Sequence, residues 1–488
     1  MEKITMRNKR IDEDVLMEKR KEWLSAWPTG KEVDFDEAVE YQKNLPDNRI
    51  WWKVVAKLRE EGRMSVFPRA GTPILEDMIE LCKSMVAQGV VLMPLTSDSY
   101  SRSGAFDKAQ QGLDESIRTG KTMLNGYPIV NYGVKNTRKI VEACEAAFTA
   151  RAMVSGIGAE IAIASGITSA VECSFPQPAR RRGGRGPGEG EDFRMGCRLA
   201  GWYADRGVIL SGDIHGLFRS SLCPLDVNIV TMIVGALISA EQGVKAMTPL
   251  VHLSGNMAQD LSWIRLVPRL LREYLDRDGY HDVIINGTSP QHTPLFPVPT
   301  DWGGAFAFLC YTAMVASLAK SECVFLRTVD EGAGVATKEA HEMSYRAAKW
   351  IFDVVREQKI EFEIKEVDTE EKVTEAVVRA IMDKLFELGD GDILVGIIKG
   401  IEAGVIDEPW QASPAFKGEV FGVRDSRGGC RYLEFGNLPI PEEIKEFHRE
   451  KIAEREKVEG KKVDYYSAVQ DLWALSKGKI VGLPPYDK

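Results

Sequence analysis

The sequence predicts an α/β fold, a (β/α)8 barrel of the TIM type with an N-terminal helical arm and a C-terminal extension. Short apolar runs that end in Gly, Pro, Asp, Ser or Arg alternate from Met64 onward with stretches of helical length, as in βα units. No glycine fingerprint follows the first run, which speaks against the competing layout, a doubly wound open sheet. Polar residues lie just past the ends of several runs, where barrel enzymes carry their active sites.

The chain divides into three predicted regions. Residues 1–62 should form the helical arm, because they are rich in Glu, Lys, Arg and Trp and contain helical stretches such as 36–43 but no strand-like run. Residues 63–355 should form the barrel. Residues 356–488 should form the extension, in which a charged helical segment is expected at 369–388.

The barrel region contains nine candidate strands, one more than an eight-stranded barrel needs. They are residues 64–67, 90–94, 129–132, 148–151, 167–172, 207–210, 246–252, 282–285 and 323–327. Helices are predicted between them, for example at 75–88, 136–147, 228–242, 259–277 and 305–319. The Gly-rich, charged segment at 180–192 is expected to be an exposed flexible loop.

Composition limits the classes of function. With 488 residues, 44% hydrophobic and 28% charged, the chain has the composition of an ordinary globular protein. A net charge of -9 offers no basic field, so nucleic acid is not an expected partner. The charged N-terminal stretch and the lack of a long apolar run predict a cytoplasmic protein without membrane contact. The eight scattered cysteines predict reduced, buried thiols and no zinc site.

Three arginines follow or end predicted strands: Arg69, Arg102 and Arg151. In a barrel all three would point into the mouth, and a guanidinium offers a planar fork that matches a carboxylate. As a set, they predict a site for a small substrate with two carboxylates. The alternative, favoured for any one of them alone, is a buried ion pair with a neighbouring acid.

Glu172 ends another predicted strand, where its carboxylate could receive a substrate ammonium, act as a base or pair with an arginine. Arg327 and Glu331 follow a later strand, in a loop whose glycines allow a ligand to approach the backbone closely. The sequence contains no P-loop, no H-E-x-x-H and no EF-hand motif. The motifs that would most strongly predict nucleotide-phosphate or zinc chemistry are therefore absent.

Several segments, in this order and at this spacing, resemble the large (epsilon) subunit of glutamate mutase from about residue 27 to residue 482. They are WPTGKEVD (27–34), PRAG (68–71), LNGYPIVNYGVK (124–135), GNMAQD (255–260), TKEA (337–340), FELGDGD (386–392) and RYLEFGN (431–437). The resemblance implies a barrel that binds glutamate inside it, with adenosylcobalamin held between the barrel mouth and a small partner subunit. It also implies a homodimer of this chain within a heterotetramer.

The resemblance places the cobalt ligand on the partner. Cobalamin-carrying subunits hold cobalt through a histidine in D-x-H-x-x-G. The sequence Asp213-Ile214-His215 begins this pattern, but Phe218 stands in place of its glycine, so the match fails. His215 is therefore expected to be a histidine at the end of a barrel strand, and the chain is expected to ligate no metal.

The resemblance also assigns site residues. Arg69, Arg102 and Arg151 correspond to the family's arginine claw for the two substrate carboxylates, and Glu172 to its ligand for the substrate amine; Glu172 and Arg102 are the predicted catalytic residues. Substrate contacts are also expected at Ala152, Phe175 and Ala179. The positions that match cofactor contacts are Gly71, Asn125, Pro178, Phe296, Arg327, Glu331 and Val335.

This chain departs from the family pattern around the substrate. Two family tyrosines are replaced by Phe175 and Ala179, and the histidine after the third arginine is Ala152. A family Glu and Phe on a later strand correspond to Asp213 and His215. Both phenol hydroxyls that would contact the substrate amine and a carboxylate are therefore lost.

The implied reaction is the interconversion of L-glutamate and threo-3-methyl-L-aspartate in glutamate catabolism. Homolysis of the cobalt–carbon bond would be followed by hydrogen abstraction, migration of a glycyl fragment and return of hydrogen. Three alternatives stay open: the same radical chemistry on another small carboxylic acid, a cobalamin-independent barrel lyase or aldolase, and a binding protein without catalysis.

Overall fold

The centre of the protein is a ring of parallel strands. A computed structural model describes residues 6–151, 156–175, 193–216, 222–291, 298–333, 336–361, 363–409 and 415–482. In this part of the chain the ring is built from β1 (Ser65–Pro68), β2 (Leu92–Thr96), β3 (Ala147–Arg151), β4 (Ser169–Glu172), β5 (Ser211–His215), β6 (Ala246–His252), β7 (Ile284–Ile285), β8 (Ser289–Gln291) and β9 (Cys323–Leu326).

The ring is a nearly closed barrel of eight parallel strands, which confirms the predicted fold class. The strands are paired in the order β1-β9-β8-β6-β5-β4-β3-β2, while β7 pairs with β6 just before β8. The remaining gap lies between β2 and β1, where Thr96 N donates to the carbonyl of Ala70 at 2.8 Å. The carboxyl ends of all strands therefore face one side, which we call the mouth.

Helices surround the barrel. In the described residues they are α4 (Leu75–Ala87), α5 (Ser99–Arg102), α6 (Phe106–Thr119), α7 (Ile129–Glu142), α8 (Gly156–Ala164), α9 (Arg194–Ala204), α10 (Asp226–Glu241), α11 (Met257–Arg277), α12 (Trp302–Leu318) and α13 (Lys338–Glu357). A short 3-10 turn, Glu331–Ala333, follows β9. No helix in this part of the chain is both long enough and apolar enough to cross a membrane.

Two predicted strands are wrong. Residues 129–132 begin α7, and the apolar run resembles a strand because Gly133, at φ 72°, interrupts the helix immediately after it. Residues 207–210 only lead into β5, whose sequence SGDIH is not an apolar run because the polar Ser211, Asp213 and His215 alternate with Gly212 and Ile214. The prediction at 282–285 found β7 but not β8, whose sequence SPQ is polar and contains a proline.

The N-terminal region is helical, as predicted, and it closes the other end of the barrel. It contains α1 (Glu13–Ser25), α2 (Phe35–Lys43) and α3 (Trp51–Glu60), with 3-10 turns at Pro28–Glu32 and Asp47–Arg49. Trp51 of α3 is fully buried and packs with residues that begin strands, namely Leu92, Ala147 and Cys323. Its indole donates to the Thr248 hydroxyl at 3.2 Å, so the indole group is satisfied inside the barrel.

A buried ion pair ties the arm to α8. Arg20 of α1 donates from Nε and Nη2 to the Glu160 carboxylate at 2.6 and 2.9 Å, and neither side chain is exposed to solvent. The guanidinium carbon also lies 3.7 Å from the ring centre of Phe35 and 4.2 Å from that of Trp202. Charge, planar geometry and aromatic contacts thus satisfy a cation that would otherwise be costly to bury.

The C-terminal region packs on the outer helices α10 and α11 and on the loop after β6. It contains α14 (Lys365–Gly389), α15 (Ile393–Ala403), an antiparallel hairpin of β10 (Val420–Arg424) and β11 (Cys430–Phe435), α16 (Glu442–Glu459), α17 (Tyr465–Ala474) and the turn Leu475–Lys477. Arg424 Nη2 donates to the carbonyl of Ser254, just past β6, at 2.8 Å. All eight cysteines are described; none forms a disulfide, and seven are buried. The division of the chain at residues 62 and 355 stays a prediction.

We expect Arg20→Ala to lower the free energy of unfolding by about 3–5 kcal/mol, because it leaves the buried Glu160 carboxylate without its cation. Chemical denaturation followed by circular dichroism measures this change. The control is Arg10→Ala, whose pair with Asp205 has side chains 42% and 39% exposed and should cost less than about 1 kcal/mol. Equal losses in both variants would contradict the role assigned to the buried pair.

Candidate active site

Charged side chains from six strands meet at the mouth. Arg69 directly follows β1, Arg102 ends the short helix after β2, and Arg327 directly follows β9. Arg151, Glu172 and His215 are the last residues of their strands: β3, β4 and β5. The barrel thus brings the three arginines and the glutamate predicted from the sequence to one end of the molecule, which is the geometry that such barrels use for their sites.

Arg151 lies on an apolar floor inside the barrel. Its guanidinium carbon is 4.8 Å from the ring centre of Phe325 and 5.9 Å from that of Phe67, two residues on strands across the barrel. Phe67 in turn packs edge-on against Trp51, at 5.4 Å between ring centres. The space beneath the guanidinium is therefore filled by aromatic side chains.

The carboxylate partner of Arg151 is Asp213 on β5. Arg151 Nη1 donates to Asp213 Oδ2, and the two side chains are only 16% and 10% exposed. Burial raises the pKa of Asp213; Arg151 opposes this rise, and the nearby negative charge of Glu172 adds to it. The other oxygen, Oδ1, is buried and has no hydrogen-bond partner among the described residues. One acceptor atom at the centre of the mouth therefore stays available.

Arg69 and Arg327 share one carboxylate. Glu331 accepts from Arg69 Nη1, and its Oε1 also accepts from Arg327 Nη1 at 2.8 Å. Burial lowers the pKa of the Arg327 guanidinium, Glu331 opposes this effect, and the positive charges of Arg69 and Arg151 lower the pKa further. These three guanidinium groups are thus close enough to repel one another, so the mouth favours anions.

Arg102 is held at the same edge by its local backbone. The helix α5 begins after Asp98, whose carboxylate accepts from the amides of Tyr100 and Ser101 at 2.8 and 3.1 Å. One turn later, Arg102 Nη1 donates to the carbonyl of Ser97 at 3.2 Å, directly beyond β2. The hydroxyl of Ser97 donates to the carbonyl of Arg151 at 3.4 Å, so the Arg102 fork lies beside the end of β3.

Glu172 and His215 face each other across β4 and β5. The Glu172 carboxylate lies against Nε2 of the His215 ring, and Nδ1 of that ring is 3.1 Å from the carbonyl of Gly216. The backbone amide of His215 donates to the Ser174 hydroxyl at 2.8 Å. The ring centre of His252, at the end of β6, is 6.5 Å away. Contacts on several sides therefore fix the His215 ring.

Other predicted site residues have structural roles of their own. Asn125 Oδ1 accepts from the amide of Ser99 at 2.9 Å and so holds the loop that begins α5. At Gly71 a Cβ atom would come within 2.4 Å of the carbonyl of Thr96, so only glycine fits there. Phe175 packs edge-on against Phe193, with 5.7 Å between ring centres. The predicted contacts at Ala152, Pro178, Ala179, Phe296 and Val335 lie outside the described residues.

Two predictions were possible for the arginines: convergence on a site for substrate carboxylates, or ion pairs with acids of the protein. The structure contains features of both. Arg69 and Arg151 converge on the mouth, as the sequence predicts, but each also pairs with a carboxylate of the protein. Asp213 and His215 were predicted only as replacements of family residues, not as site residues. Asp213 and His215 are two residues apart at the end of a strand, so their side chains lie on the same face of the sheet. This spacing is the signal in the sequence that could have identified them as site residues.

The chemistry available at the mouth is recognition of anions. In the part of the chain that the structure describes, no group of three or more His, Cys, Asp or Glu side chains could hold a metal ion. What the mouth offers is a set of guanidinium forks with an apolar floor below them. Such an arrangement suits a small molecule with more than one carboxylate.

The family model for the methylaspartate mutase E chain matches residues 45–484 of this sequence. A glutamate mutase epsilon subunit of Desulfitobacterium hafniense is 34% identical over 98% of this chain and 99% of its own length. The epsilon subunit of Treponema denticola is 33% identical over 98% and 99% of the two chains. That of Haloarcula marismortui is 32% identical over 98% and 97%.

We expect Asp213→Asn to lower the free energy of unfolding by about 3–5 kcal/mol, because Arg151 would stay charged on its apolar floor without a countercharge. The double variant Arg151→Met with Asp213→Leu should recover to within about 1–2 kcal/mol of the wild type, since it removes both charges and keeps the volume. Chemical denaturation of the three proteins gives these values. A double variant as unstable as the single one would show that the loss does not come from the unpaired charge.

Proposed function

Because the chain belongs to the methylaspartate mutase E chain family, we propose that it is the substrate-binding subunit of an adenosylcobalamin-dependent carbon-skeleton mutase that acts on a small dicarboxylate. The chain is a mutase subunit, since its relatives over nearly its full length are glutamate mutase epsilon subunits. The first candidate reaction is the interconversion of L-glutamate and threo-3-methyl-L-aspartate. The second is the same rearrangement of a dicarboxylate without an amino group, which the Glu172–His215 pair favours.

The observation that carries this proposal is the set of guanidinium groups at the mouth. Arg69, Arg102 and Arg151 approach it from three adjacent strand ends, and a carboxylate bound there could accept two parallel hydrogen bonds from a fork. Two such carboxylates would fix both ends of a short diacid. The reacting carbon atoms between them would then be held in one orientation above the aromatic floor.

The carboxylates already present keep the forks in place. Glu331 spans Arg69 and Arg327, and Asp213 holds Arg151, so the guanidinium groups need little rearrangement when a ligand enters. A bound substrate carboxylate joins or partly replaces these partners. The aromatic floor also keeps water away from the centre of the mouth, which protects a reactive intermediate from side reactions.

The residues at the mouth fit a corrin cofactor. The Nε of Arg327 is buried and has no hydrogen-bond partner among the described residues, and the carboxamide carbonyls at the edge of a corrin ring are acceptors for such a donor. Glu331 would accept from the amide N–H groups there. When bound, adenosylcobalamin supplies a carbon radical by homolysis of its cobalt–carbon bond. We assign the cobalt ligand to a separate small subunit with D-x-H-x-x-G, within a heterotetramer that contains two copies of this chain.

The deciding experiment is proton NMR of L-glutamate incubated anaerobically with this chain, adenosylcobalamin and the small cobalamin-binding subunit of a glutamate mutase. Other dicarboxylic acids are incubated in parallel, and each mixture is repeated without cobalamin. Rearrangement of any of these acids only when cobalamin is present would support the proposal. Conversion that does not need cobalamin would support the lyase alternative, and no conversion of any acid by the assembled complex would contradict the proposal.

We expect Arg102→Lys to lower kcat/KM by roughly 10- to 100-fold, mainly through KM, because a lysine ammonium cannot reproduce the two parallel bonds of the guanidinium fork. Steady-state kinetics of the assembled complex measure this. Arg118→Lys is the matched control, since Arg118 is 70% exposed on α6 and pairs only locally with Glu115. Unchanged kinetics in Arg102→Lys would remove Arg102 from the site.

A further inference from the structure

The Glu172–His215 contact indicates the kind of substrate that the mouth accepts. We propose that the site takes a small dicarboxylate that carries no ammonium group, and that His215 is the residue that sets this preference. This inference rests on the proposed function and names its substrate class. It depends on where the carboxylates of the mouth lie and on the groups with which they are paired.

Each of the three carboxylates that pair across the mouth has a cationic or basic partner from the protein. Glu331 is shared by two arginines, Asp213 faces Arg151, and Glu172 faces His215. At Glu172 and Glu331 an ammonium group on a substrate would have to displace one of these partners. The remaining acceptor, Asp213 Oδ1, belongs to the carboxylate that is bound by Arg151, whose positive charge repels an ammonium group. A dicarboxylate without an ammonium group has no such requirement, because its own charges are met by the guanidinium groups.

The surroundings of the His215 ring favour its charged form. Nδ1 lies 3.1 Å from the carbonyl of Gly216, which can only accept, so this nitrogen carries a proton. Nε2 lies against the Glu172 carboxylate, which is also an acceptor when ionised. Only an imidazolium can donate to both neighbours at once. His215 thereby provides a positive charge beside Glu172, where a substrate ammonium would otherwise be needed.

The resulting charge balance matches a dianion. The described residues that face the mouth provide Arg69, Arg102, Arg151, Arg327 and the His215 imidazolium, set against Glu172, Asp213 and Glu331. The nearby carboxylates of Asp98 and Asp330 are bound instead by donors of their own loops. The five cations exceed the three carboxylates by two charges. A dicarboxylate, with two negative charges, neutralises this excess. An amino dicarboxylate, with a net charge of minus one, leaves one positive charge of the site without a countercharge.

The side chain of Phe175, three residues after Glu172, also offers no hydroxyl to an ammonium group. Phe175 follows β4 and packs edge-on against Phe193, so it presents an aromatic ring and no hydroxyl. An ammonium group has three N–H donors, and leaving any of them without an acceptor in a partly buried site is costly. An unsubstituted methylene group at the same place has no such cost.

The test compares two acids that differ only in the ammonium group. Glutarate and L-glutamate are titrated into the full-length chain, and their binding is measured by isothermal titration calorimetry. We expect glutarate to bind about tenfold more tightly or better, which is the effect of one charge-assisted hydrogen bond gained or lost. In His215→Phe, which removes the imidazole beside Glu172, the dissociation constant of L-glutamate divided by that of glutarate should fall to one or below.

Two further variants make the outcome decisive. His281→Phe is the matched control, because His281 is 73% exposed and pairs with Asp276 at the far end of α11, so the ratio should not change. His215→Gln keeps a neutral donor and should give an intermediate ratio, and it replaces His215→Phe if that variant does not fold. Equal or tighter binding of L-glutamate by the wild type, or no binding of either acid, would overturn the inference.

The titrations need neither cobalamin nor the partner subunit, so they separate this inference from the proposed function. Preference for glutarate without rearrangement of any acid in the NMR assay would keep the substrate class and contradict the mutase proposal. Formation of 3-methylaspartate together with tighter binding of L-glutamate would support the mutase proposal and contradict the substrate class inferred here.

Discussion

The burial of Arg151 on an aromatic floor is the constraint on which the rest of the mouth depends. Trp51 closes the barrel from the side opposite the mouth, Phe67 and Phe325 fill its centre, and the guanidinium lies directly above them. Charges in such a poorly solvated place interact strongly and are costly without a partner. The arginine therefore needs the carboxylate of Asp213, and the barrel supplies it from β5, two strands away.

The same constraint explains why the mouth is a network and not a set of independent groups. Arg69 and Arg327 share Glu331, Arg151 is bound by Asp213, and their positive charges act on one another. Each pair fixes a fork in space before a ligand arrives, so less ordering is needed on binding. The cost is competition, because a ligand carboxylate must join or displace a carboxylate of the protein. A site built in this way selects for ligands that bring enough negative charge to do so.

Much of the barrel could be predicted from the sequence, because buried parallel strands appear as apolar runs; residues 246–252 coincide with β6. The prediction failed at β5, where the strand carries the polar residues of the mouth. The positions of the arginines followed from strand ends, but their partners did not. Strand register places Glu172 opposite Asp213 on β4 and β5. One sequence does not reveal which residues of distant segments are opposite each other, so the ion-pair partners at the mouth could not be predicted.

The two sides of the mouth differ in how they are built. Arg69, Arg327 and Glu331 come from β1 and β9, whereas Glu172 and His215 come from β4 and β5 on the other side of the ring. Most of the departures that the resemblance to the family predicts, at Phe175, Ala179, Asp213 and His215, follow or lie on the strands of the second side. Glu172 and His215 pair with each other, whereas Arg151 pairs with Asp213, and Arg69 and Arg327 pair with Glu331. Glu172 and His215 can therefore change while the guanidinium groups keep their own carboxylates. A barrel with this arrangement can change its choice of substrate and keep the groups that we assign to the cofactor.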